Sequence, residues 1–193
     1  MNYRADIDGL RAIAVLCVVV FHLGVAGFQG GYVGVDVFFV ISGFLITAII
    51  KQGHENESFR YTDFYARRIR RLLPPLIATV AVTLLGASFI LTPEDMTPFA
   101  RSAAAALFSV SNFVFYAESG YWDAASELKP LLHTWSLGVE EQFYLFWPAL
   151  ITWLLTLRKR IPFGASLTLI TFAGAALCIV YSTVNPSAAF YLL

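Results

Sequence analysis

Two polar side chains near the start of the chain have types and a spacing that suit group-transfer chemistry. Arg11 and His22 are eleven residues apart within an apolar run that covers about residues 10–27. If this run is helical, the two lie about 20° apart in azimuth and about 16 Å apart along the axis. A histidine in a partly dry site can act as a general base on a hydroxyl or carry a transferred group. Ionisable residues inside an apolar run are expensive, so this helix face predicts a reaction path through a membrane.

Each of these residues also has a structural interpretation. His22 could pack between helices with a hydrogen bond to a carbonyl, and Arg11 lies three residues from Asp8, the spacing of a helical ion pair. Asp36 opens the second apolar run, about residues 33–50, where a carboxylate complements the helix dipole as well as it would serve a reaction. Catalytic and structural roles therefore both stay open for Arg11, His22 and Asp36.

A cluster of arginines follows the second apolar run. Four fall within five residues, and three of them share one helix face by their i, i+3, i+4 spacing. Such a cluster is typical of contact with anionic lipid headgroups. It equally suits a multiply phosphorylated cytoplasmic ligand, because arginine binds phosphate in a bidentate manner. The four residues are Arg67, Arg68, Arg70 and Arg71, of which Arg67, Arg70 and Arg71 share the face.

The segment HTWSLGVEEQFYL is the last one whose residue types could take part in a reaction. If its helix includes His133, then His133, Glu140 and Tyr144 lie on one face, whereas Glu141 points about 100° away. Two adjacent carboxylates at the start of an apolar span are hard to explain by solubility alone, which favours a functional role. A histidine and a carboxylate without a third ligand do not make a metal site, so we predict no metal.

The elements that must position these residues are membrane helices. Of 193 residues, 58% are hydrophobic and 13% are charged, whereas soluble domains carry about 25% charged residues. The net charge of zero excludes a globally basic nucleic-acid-binding protein. The sequence predicts a single all-α domain over residues 1–193, a polytopic bundle of about five full spans and one re-entrant segment. The full spans cover about residues 10–27, 33–50, 76–91, 134–157 and 163–183.

The distribution of basic residues predicts the orientation of these spans. The arginine cluster should be cytoplasmic by the positive-inside rule, and the N-terminus with it. If every apolar run crossed the membrane, Arg158, Lys159 and Arg160 would lie outside, against that rule. We therefore expect the weaker run Ser102–Tyr116 to dip in and return to the outer side.

Four sequence blocks together resemble the signature blocks of the membrane acyltransferase-3 family, in order and in spacing. That family includes bacterial O-acetyltransferases that act on lipopolysaccharide O-antigen, peptidoglycan and other envelope glycans. The resemblance covers about residues 3–193. The blocks are DGLRAIAVLCVVVFH, GGYVGVDVFFVISGFLIT, FYARRIRRLLPP and LLHTWSLGVEEQFYLFWP.

The resemblance implies a reaction and a location. An acetyl group would pass from cytoplasmic acetyl-CoA to a sugar hydroxyl on the outer side of the bacterial inner membrane. Arg11 and His22 match the family's essential pair, and the arginine block matches a region thought to engage the phosphates of acetyl-CoA. His22 would activate the acceptor hydroxyl or relay the acetyl group, and Asp36 stays a catalytic candidate.

Other implications concern the acceptor and the rest of the protein. Glu140 or Glu141 would orient the histidine or the sugar, and His133, Trp135 and Tyr144 would bind the acceptor. Family members usually have more spans, and many add an extracytoplasmic SGNH-type domain, so we expect this domain to be incomplete at its C-terminus. A transporter or flippase that moves a substrate without acyl chemistry is the alternative.

Overall fold

The computed structural model describes residues 4–119, 129–157 and 162–192, and in this part of the chain all regular structure is helical. The expected all-α fold is therefore confirmed, and the apolar runs around residues 134–157 and 163–183 form helices as predicted. A 3₁₀ turn over Gly31–Val33 precedes the second helix. The α-helices are α1 Ala5–His22, α2 Gly34–Glu55, α3 Tyr61–Ile90, α4 Pro93–Leu107, α5 Ser111–Glu118, α6 Thr134–Leu157, α7 Phe163–Val184 and α8 Pro186–Leu192.

Three segments of the described chain are long and apolar enough to cross a membrane. They are Gly31–Glu55, Tyr61–Ile90 and Phe163–Val184. Helices α1 and α6 form where spans were predicted, but neither is among these three segments. The chain is thus a helical membrane protein, and the count of about five full spans stays a prediction. Arg158, Lys159 and Arg160, on which the predicted topology depends, lie outside the described residues.

Helix α3 differs from the prediction at its proline pair. The predicted span begins at about residue 76, directly after Pro74 and Pro75, but α3 begins at Tyr61 and runs through both prolines to Ile90. Each proline removes one backbone hydrogen bond, and membrane helices tolerate this loss because other groups compensate for it. The arginine cluster is therefore part of the same helix as the span that follows it.

The segment Ser102–Tyr116 is broken into two helices. Helix α4 ends at Leu107, and Ser109 adopts a left-handed conformation with φ of 56° before α5 begins. The 15 residues of α4 rise about 22 Å, which is less than the ~30 Å hydrocarbon core. This segment is therefore not one continuous crossing helix, and its re-entrant path stays a prediction.

The chain divides into two compact units, and the first contains residues 4–59 together with Leu150–Thr152. Within it, α1 packs against the 3₁₀ turn and α2. Two glycines allow this close approach, since a Cβ atom at Gly31 or Gly34 would clash with the carbonyl oxygen of Cys17 or Ala14. Small residues at such contacts are the usual means by which membrane helices approach closely.

The second unit contains residues 60–149 and 153–192. An apolar cluster joins α3 and α4, and a buried polar network joins α5 to α6 and α8. Asn112 is 1% exposed; its amide nitrogen lies 3.2 Å from the Tyr191 carbonyl, and its Oδ1 accepts a hydrogen bond from Gln142 at 2.8 Å. The apolar cluster consists of Val80, Ala87, Phe99, Ala103, Ala106 and Leu131.

Candidate functional site

Arg11 and His22 lie on a single uninterrupted helix. Helix α1 runs from Ala5 to His22, so the helical geometry on which the predicted alignment depends is present. Arg11 is the seventh residue of the helix, and His22 is its last. An eleven-residue separation in one helix places both on the same face, about 16 Å apart along the axis. Their catalytic roles stay a prediction.

The imidazole of His22 is oriented by its own helix. Its Nδ1 atom lies 2.8 Å from the carbonyl oxygen of Val18. Because a carbonyl oxygen can only accept, Nδ1 carries the hydrogen, and in the neutral ring the lone pair is on Nε2. The ring also meets Phe21 edge to face at 5.2 Å. His22 is exposed and has the tautomer that a general base with Nε2 as its basic atom requires.

Arg11 is held loosely. Its Nη1 atom lies 3.9 Å from Oδ1 of Asp8, and both side chains are partly exposed. The neighbouring carboxylate of Asp6 is already engaged, because Arg4 donates two hydrogen bonds to it and lowers its pKa to about 2. The predicted pair of Arg11 with Asp8 is thus present at the limit of ion-pair distance. Exposed pairs of this kind contribute little, so an anionic ligand would displace Asp8 at small cost.

Asp36 lies in the first turn of α2, as predicted. It is exposed, and no side chain makes a capping hydrogen bond at this helix start. Its carboxylate complements the positive end of the helix dipole. The structural interpretation of Asp36 is therefore supported by its position.

Three of the four clustered arginines are available to a ligand. Arg67, Arg70 and Arg71 are exposed on α3. Within the described ranges, no ion pair or side-chain hydrogen bond engages their guanidinium groups. They are the residues of the second unit best suited to hold a phosphorylated cofactor. For a metal ion, the described residues contain no group of three or more suitable side chains.

Arg68 has a different environment from its three neighbours. Its side chain is 19% exposed, and its Nε atom donates a hydrogen bond to Oε1 of Glu141 at 3.1 Å. Its Nη2 atom lies 3.7 Å from Oε1 of Glu140, and its guanidinium stacks over the ring of Tyr144 at 3.0 Å. The Tyr144 hydroxyl donates to Glu140. We call these four residues, Arg68, Glu140, Glu141 and Tyr144, the carboxylate cluster.

The sequence of α3 explains why Arg68 turns away from the other arginines. Phe64 and Tyr65 precede it by four and three residues, which places all three on one helix face. Phe64 is 7% exposed, and the hydroxyl of Tyr65 donates to the Leu145 carbonyl at 2.9 Å. Arg68 therefore lies on the buried face of α3, from which its side chain reaches α6. The sequence already indicates this orientation of Arg68. The i, i+3, i+4 spacing places Arg67, Arg70 and Arg71 on one face of the helix, and Arg68 does not lie on that face.

The residues predicted to bind the acceptor lie at and after the start of α6. Helix α6 begins at Thr134, so His133 precedes it, and the condition for placing His133 beside Glu140 and Tyr144 is not met. Trp135 packs against α8, with its ring 4.5 Å from that of Phe190. Tyr144 is 3% exposed within the carboxylate cluster. The predicted pairing of Glu140 with Tyr144 on one face is confirmed by their hydrogen bond.

A second set of polar residues joins α5 and the turn before it to α6. Gln142 follows Glu141 directly, and its side-chain nitrogen donates to the Ser109 carbonyl at 2.9 Å and to Oδ1 of Asn112 at 2.8 Å. Ser111 donates to the Thr134 carbonyl at 2.8 Å. The interruption of the apolar run by Ser109, Ser111 and Asn112 is visible in the sequence, but their partners on α6 are not.

Comparisons with known proteins agree on one family. Residues 4–193 match the sequence profile of a family described as an acyltransferase domain. The chain is 42% identical over 153 residues to the peptidoglycan O-acetyltransferase OatA of Listeria monocytogenes, which is 78% of this chain and 24% of that protein. It is 37% identical over 180 residues to the O-acetyltransferase OatA of Staphylococcus aureus strain NCTC 8325, which is 93% of this chain and 30% of that protein. The chain thus spans 24% and 30% of the length of these two curated relatives. No solved structure matches it.

Proposed function

The chain belongs to the acyltransferase-3 family, and from this membership we propose that the protein transfers an acetyl group from acetyl-CoA to a hydroxyl of an envelope glycan. The match over residues 4–193, with relatives named as O-acetyltransferases, is the observation that carries the proposal. One relative is named for peptidoglycan, which makes a peptidoglycan sugar our first choice of acceptor. The same comparisons favour acyl transfer over the transporter alternative.

The donor would bind to arginines. Acetyl-CoA carries its phosphates at one end and its thioester at the other, joined by a long flexible arm. Exposed Arg67, Arg70 and Arg71 are suited to the phosphates, because their guanidinium groups have no partner among the described residues. In the first unit, Arg11, loosely paired with Asp8, is a separate candidate for binding the donor. By the positive-inside rule these groups are cytoplasmic, and the N-terminus is cytoplasmic as well.

His22 would perform the proton transfer. With its Nδ1 hydrogen bonded to Val18, the basic Nε2 atom accepts the proton of the acceptor hydroxyl. The oxygen then attacks the thioester carbonyl, the new C–O bond forms, the C–S bond breaks, and the proton ends on the CoA thiol. A relay in which His22 itself carries the acetyl group uses the same nitrogen as nucleophile.

The proposed topology follows the predicted spans. About five helices would cross the bacterial inner membrane, and the arginine cluster of α3 would lie at its inner surface. Helix α1 would run from the inner to the outer surface, with His22 at its outer end.

The test uses the full-length protein in membrane vesicles with labelled acetyl-CoA and an envelope-glycan extract. Wild type is compared with His22→Ala and Arg11→Ala at matched expression, and with His54→Ala, a histidine outside the proposed site, as control. We expect label in the glycan from wild type and His54→Ala, with at least a tenfold loss in the other two variants. No glycan label from wild type, with acetyl-CoA unconsumed, would contradict the proposal and favour a transporter. Persistent label with His22→Ala would remove His22 from the reaction but leave acyl transfer in place.

A further inference from the structure

We propose that Arg68 is a positioning residue that holds Glu140 and Glu141 on α6 and does not bind the phosphates of the donor. Donor binding then belongs to Arg67, Arg70 and Arg71. This inference rests on the proposed function for the identity of the donor. It separates four arginines that adjoin one another in sequence into two groups with different tasks.

The guanidinium group of Arg68 is already engaged by residues of α6. Its Nε and Nη2 atoms face the carboxylates of Glu141 and Glu140, and the face of its guanidinium lies on the ring of Tyr144. An edge and a face of the planar group are thus already engaged. The same group could bind a phosphate only if these contacts were broken, and a carboxylate left in a partly buried site without its partner is strongly unfavourable.

The charges of the carboxylate cluster disfavour binding of a phosphate at Arg68. The cluster holds two glutamates and one arginine, with side chains 23% and 19% exposed, so its formal net charge is negative. A negative cluster repels the phosphates of acetyl-CoA. It suits groups that donate hydrogen bonds, because ionised carboxylates only accept. The cluster is therefore poorly suited to the phosphates of the donor.

Arg68 lies on a different face of α3 from the other three arginines. Arg68 lies with buried Phe64 and with Tyr65, which bonds to the Leu145 carbonyl, whereas the three other arginines are exposed. The long side chains of Tyr65 and Arg68 both reach α6 from this face. Arg68 thus belongs to the packing between α3 and α6, and it fixes the carboxylates through that packing.

Steady-state kinetics of the full-length protein in vesicles separate the two tasks. We expect Arg68→Gln to lower kcat at least tenfold with the KM for acetyl-CoA within twofold of wild type. Arg67→Gln and Arg71→Gln should raise that KM at least fivefold with kcat within twofold. Arg68→Lys should recover part of kcat, because it restores the charge without the planar fork. Arg101→Gln, an exposed arginine on α4, is the matched control and should change neither constant.

A binding measurement keeps the inference testable without turnover. Binding of labelled CoA to the same vesicles should be unchanged within twofold by Arg68→Gln and weakened at least fivefold by Arg71→Gln. If Arg68→Gln does not reach the membrane, Arg68→Lys replaces it with the same expectation for binding. An increase in the KM or in the dissociation constant of CoA with Arg68 variants, equal to that of Arg71→Gln, would overturn the inference and leave the proposed function intact. Absence of both CoA binding and acetyl transfer in wild type would instead overturn the proposed function, and this inference with it.

Discussion

The Nε atom of Arg68 lies 3.1 Å from Oε1 of Glu141, and this hydrogen bond joins α3 to α6 across 73 positions of the sequence. Both side chains are mostly buried, at 19% and 23% exposure. A charge-assisted hydrogen bond in such surroundings is stronger than one between exposed groups. The pair therefore has consequences for folding that can be measured separately from any activity.

Arg68 and Glu141 should stabilise the protein as a coupled pair. Arg68→Gln leaves two carboxylates without their cation, and Glu141→Gln removes one acceptor, so each should lower stability by about 1–3 kcal/mol. The double variant should be less destabilised than the sum of the two. A thermal-unfolding cycle on detergent-extracted full-length protein measures this coupling. Additive effects within about 0.3 kcal/mol would show that the two residues act independently.

Asn112 should be essential to the packing of α5 on α6. Asn112→Ala removes the acceptor for Gln142 and the donor to the Tyr191 carbonyl within a buried site. Leaving these groups unpaired should cost about 1–3 kcal/mol. The matched control is Asn56→Ala, an exposed asparagine at the end of α2, which we expect to change the melting temperature little. Equal melting temperatures for the two variants would contradict the assignment.

Much of this arrangement is visible in the sequence. The apolar runs predict α1, α2, α6 and α7, because a helix that contacts apolar surroundings must carry such a run. The spacing of Arg67, Arg70 and Arg71 leaves Arg68 on the face of Phe64. These are local features, and periodicity is enough to find them.

Other features depend on contacts that no local pattern contains. The partner of Arg68 is 73 residues away, and that of Asn112 is 30 residues away. The path of α3 through Pro74 and Pro75 depends on the surrounding medium, since prolines end helices in water but are tolerated in a membrane helix. Contacts between residues that are distant in the sequence, and the effect of the membrane on prolines, therefore cannot be predicted from local sequence patterns.

Gly34 should tolerate no side chain. A Cβ atom there would clash with the Ala14 carbonyl oxygen, which belongs to the backbone of α1 and cannot move aside. We expect Gly34→Ala to destabilise the protein by about 1–3 kcal/mol through overpacking. Gly86→Ala is the control, because nothing lies within 4 Å of its Cβ position and alanine favours the helix. A melting temperature for Gly34→Ala at or above that of wild type would contradict the close approach of α1 and α2.

Ser109 should be replaced by glycine without loss. Its φ of 56° lies in the left-handed region, which glycine adopts freely and β-branched residues strongly disfavour. Gln142 bonds to the backbone carbonyl of this residue, so the substitution keeps that contact. We expect Ser109→Gly to be neutral or stabilising and Ser109→Val to be destabilised by about 1–2 kcal/mol. The order of the three melting temperatures is the measurement, and valine equal to glycine would refute the break at this position.

Asp8 distinguishes the two interpretations of Arg11. If Arg11 serves only as half of an ion pair, then Asp8→Asn and Arg11→Gln should lower the stability of the protein by the same small amount. A pair at 3.9 Å between partly exposed groups contributes about 0–1 kcal/mol to stability. If Arg11 binds the donor, Arg11→Gln should lower acetyl transfer at least tenfold, whereas Asp8→Asn should leave it within twofold. Loss of a competing carboxylate would then favour the anionic ligand, so CoA should bind to Asp8→Asn vesicles at least as tightly as to wild type. Transfer and binding by the two variants at matched expression decide between these outcomes. An equal loss of transfer in both variants would mean that the pair itself is required, and would remove the proposed donor contact of Arg11.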